Sequence, residues 1–423
     1  MKYTSFNYTV HVVSPTHIGI GEKLKDIEYL ISSEKLYVID IVNLLNTLPQ
    51  ASVLSSIKEK PLHFYETLKE NCNPHGNYYK YIITCKYNPQ EILPHIKSIY
   101  YEPYITGSSI KGAIRTSLLK ELLLLHDQRT LSTEKLKKIF KKLSNQPGER
   151  KKLISQASSD IGGDIERSIF NGKYGYNAMR ALQISDTNSI NYNSLNISEI
   201  RVLSLNMRNS VDWKKFKLYI ETLKPSDDFH KTDKNENIHG TIKIDNYLLE
   251  DSPAQRERLG YTEEKNIIKN FIQLCNKYSL ERINREINFF IDCDIREIAD
   301  WYKKLKNLNL KENEFLIQIG WGTGYECKTV APSFTQELEN IRRYFGIGKK
   351  KVRIHISCDG EVLPSFNKKD SYFCTKCRID RITREETIVI PFPKTRRIVF
   401  VDDKPAYPPG WVIISVERIN REM

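Results

Sequence analysis

The sequence predicts an α+β fold. Short β-rich segments and helical segments alternate irregularly along the chain, and several neighbouring β-rich segments are separated by turns of only a few residues. This pattern is typical of α+β folds, because a doubly wound parallel sheet needs a crossover helix after nearly every strand. Each half of the chain contains strands, a glycine-rich loop and a helix, which only hints at an internal repeat.

Strand and helix patterns alternate near the N-terminus. Residues 6–13 alternate apolar and polar side chains, and a loop with a proline and two glycines follows over 14–25. The stretch IEYLISSEKLYVID predicts a hairpin around Ser32–Lys35. From residue 41 up to Leu68 the pattern is helical.

A second group of elements begins near residue 99. We predict a strand over 99–105 and a helix from about Ser109 to His126. The lysine-rich stretch 127–160 and the glycine-rich stretch 161–180 show no clear period. We interpret the second of these as an exposed excursion.

The remaining elements complete a two-domain organisation. The predicted strands are ALQISDT, IRVLSLNMRN, FLIQI, KKVRIHISC and TRRIVFV, with a polar loop over 225–240 and a helical segment over 262–310. We therefore assign residues 1–240 to an N-terminal domain with an insertion at about 127–180. Residues 241–423 form a C-terminal domain with the helical segment and a glycine-rich loop.

The composition favours a polyanionic partner. The 423 residues include 65 Lys and Arg against 52 Asp and Glu, a net charge of +13. Such a charge favours nucleic acid first and an anionic membrane surface second, although a merely solvated basic surface gives the same count. No apolar run reaches the roughly 18 residues of a membrane span, and the N-terminus lacks a secretory signal pattern. The eight scattered cysteines suggest reduced thiols in the cytoplasm.

The stretch YITGSSIKGAIRT predicts a helix N-terminus that binds an anion. Gly107 to Gly112 match G-x-x-x-x-G, but Ala113 and Ile114 replace the lysine and hydroxyl residue of a phosphate loop, which argues against nucleotide hydrolysis. Ser108 or Ser109 is the expected cap.

The cations of this helix lie at the unfavourable end of the dipole. Lys111 and Arg115 are four residues apart, so they share a face and repel each other. A backbone phosphate would relieve both penalties. Gly112 costs about 1 kcal/mol inside a helix and suggests that something approaches the backbone there. The alternative is a solvated basic face with a packing glycine.

A second glycine-rich loop lies near residue 320. Gly320, Gly322 and Gly324 give G-x-G-x-G rather than the dinucleotide fingerprint. At alternate positions they would leave one face of an extended segment bare, for a polynucleotide backbone, a tight turn or a bulge. Trp321 and Tyr325 offer stacking faces, or belong to the core.

A zinc site is an open alternative near the C-terminus. Cys374 and Cys377, with His355 and Cys358 before them, have ligand types suited to a zinc ribbon. Ordinary thiols explain the same residues, because positions 355 and 358 point to opposite faces of a strand. We predict no cofactor and no metal.

Four segments resemble the RAMP superfamily of CRISPR proteins. In chain order they are SPTHIGIGEK, PYITGSSIKGAIRT, ALQISDT and IGWGTGYECKTV. The stretch PFPKTRRIV and the chain length resemble the Csm-type subunit of type III-A complexes that caps the 3′ end of the guide RNA.

The resemblance implies two ferredoxin-like, RRM-like domains with glycine-rich loops and insertions. It implies guide RNA (crRNA) as the ligand and other complex subunits as partners, above all the repeated backbone subunit, with a host nuclease as an additional candidate. The expected RNA-contacting residues are His17, Gly19, Gly21, Gly107, Ser108, Ser109, Lys111, Gly112, Arg115, Gly320, Gly322, Gly324 and Lys328.

The resemblance leaves an enzymatic alternative open. Some relatives cut RNA with an aspartate after the early glycines, or process guide RNA with a histidine, so Asp26 and His17 are the candidates. His11, His63, His75, His95 and His126 show no constellation. We therefore expect a non-catalytic subunit, with a RAMP endoribonuclease as the alternative and a DNA-binding or structural subunit as a third reading.

Overall fold

A computed structural model gives the architecture. It describes residues 3–48, 72–125, 177–205, 211–226, 238–249, 264–329 and 393–419, the strand segments 349–355, 361–364, 372–374 and 383–389, and residues 70, 138, 141, 170 and 376. Sheets and helices are mixed without regular crossovers, which confirms the predicted α+β class.

The described elements include both short and long strands. They are β1 (Tyr3–Val12), β2 (Leu24–Lys25), β3 (Tyr29–Ser32), β4 (Lys35–Ile39), β5 (Tyr79–Thr84), β6 (Glu91–Leu93), β7 (Leu182–Ile184), β8 (Leu195–Leu205), β9 (Val211–Trp213), β10 (Leu218–Leu223), β11 (His239–Asp245), β12 (Glu314–Gln318), β13 (Lys349–His355), β14 (Glu361–Pro364), β15 (Tyr372–Cys374), β16 (Thr383–Val389), β17 (Thr395–Val401), β18 (Lys404–Tyr407) and β19 (Trp411–Arg418). The helices are α1 (Ile41–Thr47), α2 (Gly107–Leu125), α3 (Glu264–Lys269), α4 (Phe271–Asp292), α5 (Arg296–Lys306) and α6 (Tyr325–Lys328).

Sheet A joins the two ends of the chain. Its order is β12–β19–β1–β11–β7, and each neighbouring pair is antiparallel. The apolar face of α2, from Ile110 to Leu122, and the start of α4 pack on it. The rings of Phe271 and Phe315 meet edge to face at 5.4 Å in this core.

Sheet B is larger and mixed. Its order is β2–β6–β10–β8–β5–β4–β3, with β17 and β9 also paired to β8, and β18 paired to β17. The strands β13 to β16 form a separate antiparallel sheet, sheet C. A second apolar cluster joins α5, β17 and Trp411, where the Tyr302 and Trp411 rings lie 6.1 Å apart.

Several predicted elements are confirmed. The hairpin around Ser32–Lys35 joins β3 to β4, and its turn residues Ser33 and Glu34 have φ of 48° and 57°. Positive φ at both turn positions matches the twist of a tight hairpin. The helical segment over 262–310 appears as α3, α4 and α5. None of the helices in the described residues combines the length and apolar character that a membrane crossing requires.

Three predictions need correction. The predicted strand over 99–105 is a bent segment in which Lys97 bridges Pro103, because Tyr101 has φ of 62° and turns the chain. The helix begins at Gly107 rather than Ser109. In the predicted exposed excursion, Phe170, Ala178 and Met179 are buried in the core.

The predicted domain boundary near residue 240 falls within continuous secondary structure. Position 240 lies inside β11, and both sheet A and sheet B take strands from either side of it. The division into two domains stays a prediction. The helical prediction up to Leu68, most of the insertion at about 127–180 and the zinc-candidate side chains lie outside the described residues.

Candidate functional site

Three segments that are far apart in sequence form one groove. They are the early loop after β1, the first turns of α2 and the late loop after β12. The groove encloses about 560 Å³. Its lining residues are Ile18, Gly19, Gly21, Ser108, Ser109, Gly112, Ala113, Thr116, Gln318, Ile319, Gly320, Trp321, Thr323, Cys327 and Lys328.

The early loop is held by main-chain bonds to both large sheets. The Val13 N–H donates to the Trp411 carbonyl at 2.9 Å, and the Trp411 N–H donates to Ser14 Oγ at 2.9 Å. Thr16 and Leu223 exchange main-chain hydrogen bonds. Because these partners belong to β19 and β10, the loop is fixed at the junction of sheets A and B.

A buried polar network lies directly beneath the groove. Glu221 is 0% exposed, and its carboxylate accepts hydrogen bonds from Tyr81 Oη at 2.7 Å, from the His95 N–H at 2.7 Å and from Lys97 Nζ. The Glu221 carbonyl lies 2.7 Å from His17 Nδ1, which donates to it. Every group bonded to Glu221 in this network is paired, and only the buried His95 Nε2 has no partner among the described residues. The bonds to Glu221 therefore favour one arrangement of the loop above it.

The network contains a histidine pair. The rings of His17 and His95 meet edge to face at 5.9 Å, and Gly19 forms a bridge with His95. Burial lowers the pKa of His95 to about 3 and also lowers the pKa of His17, so both rings are neutral near pH 7. The expectation that His95 belongs to no constellation is therefore wrong, since long-range pairing brings it to His17.

The late loop is a succession of turns rather than an extended segment. Gly320, Gly322 and Gly324 have φ of 81°, 88° and 86°, values that L side chains rarely adopt. The Trp321 N–H donates to the His17 carbonyl at 2.8 Å. A Cβ at Gly320 would lie 2.2 Å from that same oxygen, so the approach of the two loops requires glycine there.

The start of α2 is docked on the end of β7. The Gly107 N–H donates to Asp186 Oδ1 at 2.8 Å, and a Cβ at Gly107 would lie 2.4 Å from the Ile184 carbonyl. Thr106 Oγ1 accepts from the Ser109 N–H at 3.3 Å. The cap is therefore Thr106, assisted by Asp186, and not Ser108 or Ser109 as predicted.

Gly112 faces open space. A Cβ built there meets no atom within 4 Å, and its φ is not in the left-handed region. Neither packing against the described residues nor backbone conformation accounts for a glycine at this helical position. Gly21 and Gly324 also have open space where a side chain would stand, although their positive φ favours glycine.

The two cations of α2 do not line the groove. Lys111 is half-buried, and burial together with the charge of Arg115 lowers the pKa of Lys111. The guanidinium of Arg115 lies over the Phe170 ring at 5.7 Å. Both therefore flank the helix face formed by Ser109 and Gly112, and an anion in the groove would meet them only at its edge.

The structure brings only part of the predicted set into the groove. The predicted residues that line it are Gly19, Gly21, Ser108, Ser109, Gly112, Gly320 and Lys328. His17 is 1% exposed and lies beneath the groove, and its expected contact with RNA stays a prediction. Gly107 packs on β7, while Gly322 and Gly324 line a separate pocket on the other side of the late loop.

Three residues that line the groove were not among the residues predicted from the sequence. Gln318 and Thr323 are buried polar residues that flank the late loop, and Thr116 extends the groove along α2. Spacing of four residues from Gly112 would have indicated Thr116. Gln318 and Thr323 depend on β12 and the turn geometry, which the sequence pattern does not reveal.

The described residues offer no metal site. No group of three or more His, Cys, Asp or Glu side chains among them is arranged to hold a metal ion. Asp26 begins a short 3-10 helix at the surface, so it lies outside the groove lining. The possible ligands His355, Cys358, Cys374 and Cys377 fall where side chains are not described.

Family comparison agrees with the order of the glycine-rich segments. The model of the RAMP superfamily matches residues 9–328. This match covers the early loop, the start of α2 and the late loop together.

Two curated relatives share a name. A protein called Csm5 of a CRISPR system, from Methanocaldococcus jannaschii, is 24% identical over 440 residues, which cover 96% of this chain and 87% of the relative. A Csm5 from Streptococcus thermophilus is 27% identical over 137 residues, 28% of this chain and 38% of that protein.

Two solved structures share the fold. A chain of a Csm–crRNA–target RNA ternary complex of a type III-A CRISPR–Cas system superposes with a TM-score of 0.61 at 18% identity, covering 97% of this chain and 100% of that one. The crystal structure of Csm5 from T. onnurineus gives a TM-score of 0.54 at 16% identity, covering 96% of this chain and 99% of that one.

The histidine pair predicts acid lability. His95 has a pKa of about 3 in the folded chain against an unperturbed 6.5, so the unfolded chain binds more protons between these values. Stability is therefore complete above pH 6.5 and falls as pH drops toward 3, by about 2 kcal/mol at pH 5 from His95 alone. The lowered pKa of His17 acts in the same direction.

Urea unfolding at pH 7.5, 6 and 5 measures this effect. We expect His95→Asn to flatten the pH dependence of the unfolding free energy below pH 6.5, since the variant lacks the titrating ring. Equal slopes for the variant and the wild type would contradict the buried neutral histidine.

The contact between the loops predicts that two glycine substitutions lower the free energy of unfolding by different amounts. Gly320 and Gly324 have nearly the same φ, but only the Gly320 Cβ meets a backbone atom. Gly324→Ala adds only backbone strain, about 1 kcal/mol, whereas Gly320→Ala should cost at least about 2 kcal/mol more. Denaturant unfolding of both variants gives the difference, and equal costs would refute the close approach.

Proposed function

Because the chain belongs to the RAMP superfamily, we propose that it binds guide RNA in the groove between its two glycine loops and the start of α2. The observation that carries the proposal is the bare helix face at Gly112. A glycine there costs about 1 kcal/mol of helix stability and serves no contact within the described residues. The close approach of another chain's backbone is what an absent side chain permits.

The electrostatics of the groove support an anionic ligand. Lys328 lines it, and Lys111 and Arg115 flank it on α2. The net charge of +13 favours long-range attraction of a polyanion. Trp321, half-buried between the groove and the second pocket, offers a ring for base stacking.

The likeness to Csm5 proteins supports a specific complex in which this RNA binding would occur. We propose that the chain is the subunit of a type III-A Csm complex that caps the 3′ end of the crRNA, supports crRNA maturation and acts in antiviral defence in the cytoplasm. Its partners would then be the crRNA and other Csm subunits, above all the repeated backbone subunit, with a host nuclease recruited for trimming.

The proposal assigns no catalytic step to this chain. The histidine pair is the one arrangement among the described residues that resembles an acid–base pair, and it would favour an endoribonuclease. However, His17 and His95 are each 1% exposed, so burial shields both rings. Neither ring reaches a ligand in the groove, so we propose that the pair positions the early loop.

Substitution of Gly112 tests the proposal. Gly112→Ala should raise the free energy of unfolding by about 1 kcal/mol because alanine favours the helix. Gly112→Gln should leave the chain folded and lower its affinity for single-stranded guide-like RNA by about tenfold, since the side chain fills the bare face. Fluorescence anisotropy measures the affinity, and circular dichroism checks the fold.

A matched control separates the groove from general helix effects. Asn288 is exposed on α4 and lines neither pocket, so Asn288→Leu should leave RNA affinity unchanged. Tight binding by Gly112→Gln, equal to the wild type, would sink the proposed site. The same RNA, run on a gel afterwards, should be intact, because cleavage by the purified chain would favour the endoribonuclease.

A further inference from the structure

A second cavity lies on the other side of the late loop from the groove. It encloses about 680 Å³ between α4, α5, the late loop and the start of β17. We name it the arginine pocket, because Arg282, Arg396 and Arg397 line it together with Lys328 and Lys394. Only two acidic side chains, Glu286 and Glu326, are among its lining residues.

Both of these carboxylates are already engaged. Glu286 accepts two hydrogen bonds from Arg396 Nε, at 3.0 and 2.8 Å, and the Arg396 guanidinium lies 4.2 Å from the Phe289 ring centre. Glu326 accepts from Arg285 Nε at 3.2 Å. The charge of Arg396 is therefore balanced within the fold, and Arg396 serves the structure.

Arg282 and Arg397 have no hydrogen bond to a carboxylate of the described residues, although the charge of Glu286 attracts Arg282 and the Arg282 guanidinium lies 5.3 Å from the Trp411 ring centre. Arg282 is 4% exposed, its Nη2 donates to the neutral Gln318 Oε1 at 2.6 Å, and its buried Nε has no partner among the described residues. Arg397 lies over the Trp321 ring at 4.7 Å, and its buried Nε likewise has no partner in the described part of the chain. Burial lowers the pKa of Arg397.

Two guanidinium groups without a hydrogen bond to a carboxylate are costly to bury. A partly desolvated cation loses hydration that only a charged or strongly polar partner restores. The planar fork of arginine matches the oxygens of a phosphate group. An incoming anion would therefore satisfy donors that the described fold leaves open.

We propose that the arginine pocket binds a phosphate-bearing nucleotide, with the phosphate held by Arg282 and Arg397. The inference rests on the proposed function where RNA is the source of that nucleotide. The pocket and the groove share Gln318, Trp321, Thr323 and Lys328, so a strand in the groove passes next to the pocket.

The shape of the late loop fits this role. A Cβ at Gly322 would lie 3.0 Å from Pro409 Cγ, which is a tight contact, and 3.7 Å from Arg397 Cδ, which is an ordinary one, so a side chain there would press on Pro409 beside Arg397. At Gly324 the same position is open. Tyr325 lines the pocket and, with Trp321, provides aromatic surface for a base. The volume is within the range of sites for small organic ligands.

The phosphate can come from the end of an RNA, from its internal backbone or from a free nucleotide. The probes are one single-stranded RNA with a 3′-phosphate, the same RNA with a 3′-hydroxyl, and adenosine monophosphate. The variant is Arg397→Gln, and the control is Lys304→Gln, which removes one positive charge from an exposed position on α5.

We expect Arg397→Gln to weaken binding of the phosphate-bearing probe by about tenfold, the usual worth of a charge-assisted hydrogen bond. The slope of log affinity against log salt for RNA should fall by about one. Without ligand, the melting temperature should be unchanged or raised, because an unbalanced cation has been removed. The control should match the wild type in every measurement.

The pattern of losses identifies the source. A loss confined to the 3′-phosphate RNA assigns the pocket to an RNA end, an equal loss for both RNAs assigns it to the backbone, and a loss for adenosine monophosphate alone assigns it to a free nucleotide. Binding of all probes at wild-type strength, or no binding by the wild type, overturns the proposal. Loss of a copurifying protein without loss of any probe would overturn it as well, and would assign Arg397 to an acidic protein segment.

These outcomes also separate the two proposals. If Gly112→Gln binds RNA more weakly and Arg397→Gln binds every probe as well as the wild type, the proposed groove is supported and the proposed pocket is refuted. If the wild type binds adenosine monophosphate through Arg397 but binds no RNA, the proposed pocket is supported and the proposed RNA-binding function is refuted.

Discussion

The site depends on one main-chain hydrogen bond, from the Trp321 N–H to the His17 carbonyl, which joins the early and late loops at 2.8 Å. Sheet A makes this contact possible. Because β19 lies between β1 and β12 and is antiparallel to both, these two strands end at the same end of the sheet, where the loops that follow them meet. Glycine at position 320 removes the Cβ that would otherwise occupy that space. Two segments about three hundred residues apart thus form one groove, and the family match covers both of them.

The buried polar network around Glu221 lies below this contact and holds the early loop in place. Burying the Lys97–Glu221 ion pair is costly, and its hydrogen bonds to Tyr81 and the His95 main chain offset part of that cost. In return the early loop has one defined position. The same burial lowers the pKa of both histidines and leaves each of them 1% exposed.

Local patterns predicted the fold class, the hairpin around Ser32–Lys35 and the helix that begins near Gly107, because turn residues and apolar spacing act over a few residues. These local patterns could not predict which strands pair across long distances in sequence. The sequence placed Lys111 and Arg115 at the site, whereas helix rotation leaves both at its edge. The stretch PFPKTRRIV, which contains Arg396 and Arg397, was noted only for its resemblance, and the arginine pocket itself was not predicted, because sheet order brings this stretch to the late loop and α4.

Photo-crosslinking tests the central claim most directly. The full chain, assembled on guide RNA that carries 4-thiouridine, would be irradiated, digested and analysed by mass spectrometry. The account predicts crosslinked peptides from the first turns of α2, around Ser109 to Thr116, and from the late loop at Trp321, because these line one groove. Crosslinks confined to other surfaces, such as the strands of sheet C, would contradict it.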